Sequence, residues 1–292
     1  MAHMGADRRG APSGIGLPGV LGGNLLRSRA GARDRRPPFV SRVRREDSSF
    51  KEVISFAAGI RSDVLNIAAA LTKIDLLFDA TKGVFGYWRF ALTDLEYLLV
   101  ACRSLYDLLQ EVAKQLWERV KLAGGDKKQP LPTRFSKVVL KSNKSLAAKE
   151  IEKRFGLPRP VAGFYAEAAP FFEKLRTARD RILHGASQDP VILRLDDGPG
   201  FLTSVPPFND LVPWQSNHLR ENGVSSLRYL VAYVVHETIV TCEKFAAVLL
   251  SNLTVPEDIA PDCDVFLRSA HTEALSRVPE VLKAPWTRLV RS

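Results

Sequence analysis

The sequence predicts an all-α protein: an up-down four-helix bundle with a small β-hairpin insertion and a C-terminal extension. Three observations predict it. Four long stretches repeat apolar residues at helical spacing. The links between them are mostly polar and rich in Gly and Pro. One short stretch instead sets two apolar runs around Asp196-Asp197-Gly198-Pro199-Gly200, the pattern of a hairpin turn.

The chain has 292 residues, 46% of them hydrophobic, enough to bury a sizeable core. No apolar run reaches membrane-spanning length, so no membrane partner is expected. The three cysteines, Cys102, Cys242 and Cys263, lack metal-ligand spacing and fit a reducing, cytoplasmic setting. No cofactor or metal motif is present in the sequence, so none is expected. The formal net charge is +10, which invites a nucleic-acid partner. Its distribution tempers that reading. Residues 1–47 hold 10 Arg against 4 acidic residues, while the remainder carries 32 basic and 28 acidic residues.

Three regions follow. Residues 1–47, rich in Gly, Arg and Pro without periodicity, read as a disordered basic tail. Residues 48–253 read as the helical domain, with a linker and helical excursion at 124–160 and a hairpin and Pro-rich loop at 189–214. Residues 254–292 form the extension.

The first helix is predicted from a Ser48 or Ser49 cap to about Thr81, with Ile60, Val64, Ile67, Leu71, Ile74 and Phe78 on its apolar face. The second runs from Tyr87 to Lys121, with a stripe from Leu95 through Leu98, Cys102, Leu105 and Leu109. Arg103 and Asp107 fall opposite that stripe and read as a solvated face. After Gly124-Gly125, Lys137 to Phe155 is basic and weakly helical. Its end, Ala148 to Leu157, resembles the first half of a helix-turn-helix, which keeps a DNA-binding regulator among the options. Glu152, Pro158 and Pro160 depart from that pattern. The last core helix is predicted over Val224–Asn252. His236 reads as exposed, and His218 has no nameable partner.

The third long helix, Ala162 to Gly185, carries the densest set of ionisable groups: Arg179-Asp180-Arg181-Ile182-Leu183-His184-Gly185. Phe164, Ala168, Phe171, Leu175, Ala178 and Ile182 share its buried stripe. Asp180 and His184 are four apart, so their side chains can meet. A histidine that titrates near neutrality can move a proton, and an arginine fork can hold phosphate oxygens. Residues five apart are rotated by roughly 140° on a helix. Arg179 and His184 therefore converge only if the helix ends at His184, or if a second copy supplies its own pair. The same residues also read as an ordinary helix terminus, with a cationic His facing the negative end of the dipole and Gly ending the helix.

Arg, then Asp or Asn, three residues, then His and often Gly, at the end of a bundle helix, resembles the signature of the HEPN superfamily. The resemblance spans this motif and the helix layout of roughly Phe50–Leu253. It implies an all-α domain of toxin–antitoxin or defence type. In catalytic members it implies a metal-independent ribonuclease with a composite groove at a homodimer. Arg179 would bind phosphate, Asp180 would be the polar residue after it, and His184 the acid–base group. RNA and an antitoxin-like protein would be the partners. A tyrosine follows the His in one toxin group; here Gly185-Ala186-Ser187 stands there. Many members have no activity, so a non-catalytic interaction module stays open.

Overall fold

Two long helices lead the chain, α1 (Lys51–Ala80) and α2 (Tyr87–Arg119), and they form the largest helix–helix interface. The computed structural model describes residues 51–82, 86–119, 128–183, 191–252 and 272–291. The basic tail, the Ser48 and Ser49 caps, Gly124-Gly125, the motif's His184 and Gly185, and residues 253–271 of the extension lie outside the described residues.

The described chain is mostly helical, with a small antiparallel sheet, as the periodicity predicts. After α2 come α3 (Phe135–Val139), a two-stranded hairpin β1 (Leu140–Lys141) and β2 (Lys144–Ser145), α4 (Ala148–Phe155) and α5 (Arg159–Leu183). A second hairpin, β3 (Ile192–Leu195) and β4 (Gly198–Leu202), is joined by β5 (Val224–Ser226) into a three-stranded sheet. Between them lies α6 (Phe208–Leu211); α7 (Leu227–Asn252), α8 (Thr272–Ser276) and α9 (Val278–Lys283) complete the chain.

The helices meet on the predicted stripes. Val64, Ile67, Leu71 and Ile74 of α1, Leu98 and Leu105 of α2, Leu175 of α5 and Val231 and Phe245 of α7 are buried together. Phe171 and Ile182 pack on this core while remaining partly exposed. Cys102 and Cys242 lie inside it, where burial pushes the Cys102 thiol up to about 12 and Cys242 higher still. Both are packing residues.

Three expectations need correction. The excursion at 124–160 contributes to the core. Phe135, 1% exposed, meets Tyr106, Tyr165, Phe172 and Phe245 at centroid distances of 5.1, 5.5, 4.9 and 6.4 Å. An aromatic just after a Pro-rich linker has no periodic neighbours, so helical spacing could not find it. His236 is half-buried rather than exposed. The helix following α4 begins at Arg159 and runs unbroken through Pro170. Its first turns bury Val161, Ala162, Phe164 and Tyr165, and its outer positions include Arg159, Pro160, Gly163 and Glu167.

The extension is anchored through buried charge. Arg228 and Asp75 are each fully buried, with Arg228 Nε donating to Asp75 Oδ1 at 2.5 Å. The other Asp75 oxygen accepts the N–H groups of Leu289 and Val290 at 2.6 and 3.1 Å. Arg228 Nη1 donates to the Asp197 carbonyl at 2.7 Å. Gly198, at φ +153, sits so close that an added Cβ would lie 2.2 Å from that same nitrogen.

Removing one member of such a pair leaves a buried charge without its partner. Asp75→Ala should cost about 3–5 kcal/mol in a denaturant melt, while Asp75→Leu with Arg228→Met should recover most of the loss. Leu175→Ala should cost about 2–5 kcal/mol by opening a cavity.

Candidate functional site

The described part of the motif sits at the C-terminal end of α5, and its neighbour is α2. Two contacts fix how those helices meet. Tyr165 Oη donates to Gln110 Oε1 at 2.7 Å, and the Tyr106 and Phe172 rings lie 5.3 Å apart. As α2 is followed backwards from 110 to 106, α5 runs forwards from 165 to 172, so the helices are antiparallel. One turn further along, Arg103 of α2 faces the Arg176–Arg179 stretch of α5.

Arg179 donates through Nη2 to Asp180 Oδ1, and Arg176 Nε lies 3.6 Å from Asp180 Oδ2. Across the seam, Arg103 Nη2 is 3.5 Å from Asp107 Oδ2. Asp107 Oδ1 is already used, accepting the Phe135 N–H at 3.0 Å. The side chains of Arg103 and Arg179 are only 21% and 20% exposed. The Nε atoms of both are buried and have no hydrogen-bond partner among the described residues. Burial pulls the Arg103 guanidinium below its usual value. Asp107 and Asp180 hold it up, against the like charges of Arg179 and Arg176.

Arg103 and Asp107 are therefore not the solvated face that the wheel predicted. The apolar face of α2 is wider than one stripe: Leu99, Tyr106, Ala113 and Trp117 are also buried. They narrow the polar strip and leave Arg103 and Asp107 at its half-buried edge. That second row, seven or four residues apart, was the available signal.

Asp180 was expected to face His184. Among the described residues, its oxygens face Arg179 and Arg176, which reach it from the preceding residue and from one turn back. His184 lies outside the described residues. Beside the cluster is a polar notch of about 350 Å³, lined among others by Asn143, Glu173, Arg176, Thr177 and Arg181. The β1–β2 turn forms one wall. Its Ser142 and Asn143 adopt left-handed φ values of 50 and 61°, which Asn tolerates better than most residues. Three guanidinium groups gathered against two carboxylates can receive an anion with planar, oxygen-rich geometry, and phosphate is the usual one.

His218, the histidine without a nameable partner, is buried in a different place. Its Nδ1 accepts the Gln215 N–H at 3.2 Å, which leaves Nε2 protonated and donating to Tyr229 Oη at 3.1 Å. Burial lowers its pKa. This is a satisfied structural histidine. Glu243 on α7 is shifted the other way: burial raises its carboxyl to about 7.

No protein-family model, characterised relative or solved structure matches this chain.

The two shifted groups give opposite contributions to stability against pH. His218 binds a proton less readily folded than unfolded, so its contribution is complete above its unfolded value of 6.5 and fades as pH falls below it. Glu243 binds a proton more readily folded, so its contribution is complete below its unfolded value of 4.5 and is lost as pH rises through about 7. Between pH 5 and 8, His218→Gln should flatten the acid side of a melting-temperature profile and Glu243→Gln the neutral side. Profiles parallel to wild type would disprove both assignments.

Proposed function

We propose that this chain is an HEPN-like protein, its four long helices forming an up-down bundle, that binds single-stranded RNA and cuts it without a metal. Arg179 and His184 are the working pair, in a groove completed by a second copy. The observation that carries the reading is the gathering of Arg103, Arg176 and Arg179 at the end of the motif helix, with donors left unmet. The setting we infer is cytoplasmic, in RNA processing, defence or toxin–antitoxin control, with an antitoxin-like protein as a possible regulator.

In this reading His184 takes the proton of a ribose 2′-hydroxyl while that oxygen attacks phosphorus. The P–O5′ bond breaks, the leaving oxygen takes up a proton in the groove, and a 2′,3′-cyclic phosphate remains. Arg179 meets the non-bridging oxygens as charge grows on them. Asp180 holds the Arg179 fork in place in the free protein and gives way to phosphate when RNA arrives. The contacts Asp180 makes with Arg179 and Arg176 support this role. The same contacts also favour a second reading, a non-catalytic module in which Asp180 keeps the arginines neutralised until a partner binds.

Single-stranded RNA should be cut in the presence of a chelator and leave cyclic-phosphate ends, by a protein that sediments as a dimer. His184→Ala should lower the rate by about 10²–10⁴-fold with little change in melting. If His184 only closes its helix, the variant should lose up to about 1–2 kcal/mol of stability and wild type should show no cleavage. A monomer without cleavage removes the enzyme reading and leaves the interaction module.

A further inference from the structure

The α2–α5 seam holds a second half-buried arginine whose own carboxylate compensates it only in part. We infer that Arg103 binds the same RNA phosphodiester as Arg179, so that the backbone is gripped from two helices at once. The inference rests on the reading that the end of α5 receives RNA phosphate.

Four observations carry it. Arg103 comes from α2 and Arg179 from α5, and the Gln110–Tyr165 and Tyr106–Phe172 contacts prevent the two helices from splaying at this level. Asp107 divides its carboxylate between the Phe135 N–H and Arg103, and its 3.5 Å separation from Arg103 is longer than a charge-assisted hydrogen bond. Both Nε donors, on Arg103 and on Arg179, are buried and unmet among the described residues. Three guanidinium groups share two carboxylates, so like charges are held together where Arg103 and Arg179 are about one-fifth and Arg176 about one-third open to water. An incoming anion would relieve the repulsion and bind the open ends of the two forks. A phosphodiester suits the site because its two non-bridging oxygens can each accept from a different fork.

The decisive experiment measures binding of a short 2′-O-methyl oligoribonucleotide, which cannot undergo attack by its own 2′-oxygen, to the full chain over a salt series. Arg103→Gln should weaken binding by about tenfold or more and lower the salt slope by about 0.7, the loss of one phosphate contact. Asp107→Asn removes the counter-charge yet keeps an oxygen for the Phe135 N–H, so it should bind more tightly than wild type at low salt. An unchanged affinity and slope in Arg103→Gln, or no binding by wild type, overturns the inference. If Arg103→Gln melts too low to interpret, Asp107→Asn decides: without a gain in affinity, Arg103 serves packing alone. The two levels separate cleanly. Binding that falls in Arg103→Gln when wild type cuts nothing keeps the inference and ends the ribonuclease reading. Cleavage by Arg103→Gln with wild-type KM does the reverse.

Discussion

The pairing of Asp75 with Arg228, both without solvent exposure, is the constraint on which the far end of the molecule depends. Asp75 stands near the C-terminal end of α1, where a carboxylate meets the negative end of the helix dipole and is unfavourable alone. The fold answers with cations. Arg228 reaches Asp75 from the start of α7. Arg288 pairs with Asp79 from the C-terminal segment, and Arg194 of β3 lies 4.4 Å over the Phe78 ring and donates to Thr81 Oγ1. One helix end thereby collects α7, the three-stranded sheet and the last residues of the chain. Such a pair adds little net stability compared with apolar packing, because desolvation offsets attraction. Its effect is on arrangement: an Asp75 that also accepts two backbone N–H groups fixes where residues 289 and 290 lie.

The other end depends on aromatic packing. Phe135 fills the space between α2, α5 and α7, and the rings around it bury large areas in edge-on and tilted geometry. That cluster sets the register between α2 and α5, and the register sets which side chains meet beyond it. The Phe135 backbone N–H also takes one oxygen of Asp107. A residue from what reads as a linker thus controls both the spacing of the two helices and the charge left facing Arg103. Packing and site electrostatics are joined here by a single residue.

The long helices were legible because each carries enough turns for a 3.6-residue period to stand out, and the β3–β4 hairpin because Asp196-Asp197 mark its turn, although Gly198, Pro199 and Gly200, read as turn, pair with β3 as part of β4. The short elements were not. Strand β5 has three residues, two of them Ser, and α3 has five, so neither holds a period. Long-range ion pairs escaped entirely: Asp75 and Arg228 are 153 residues apart, and nothing local in either marks burial. For the site, Arg179 and Asp180 were legible from motif spacing. Arg103 was assigned to solvent because one stripe on α2 was taken for the whole apolar face. Arg176 was missed as a partner of Asp180 because the i, i+4 rule applies in both directions and only the forward one was followed.

The two charge clusters differ in a way that separates structure from function. At Asp75, one carboxylate meets one fully buried guanidinium at 2.5 Å and both carboxylate oxygens have partners, while Arg228 Nη2 is buried without a partner among the described residues, as the Arg103 and Arg179 Nε atoms are. At the α2–α5 seam, three guanidiniums share two carboxylates, Arg103–Asp107 and Arg176–Asp180 are separated by 3.5 and 3.6 Å, and about a fifth of the Arg103 and Arg179 side chains stays open. A fold selected for stability alone gains nothing from keeping like charges side by side in a half-buried seam, since an apolar residue in place of Arg103 would pack there without repulsion. Local departures from the rules of good packing are expected where a ligand completes the interaction. The seam is such a departure, held by rigid helices and open to solvent. Its three guanidiniums face two carboxylates, and the Nε atoms of Arg103 and Arg179 are buried without a partner among the described residues.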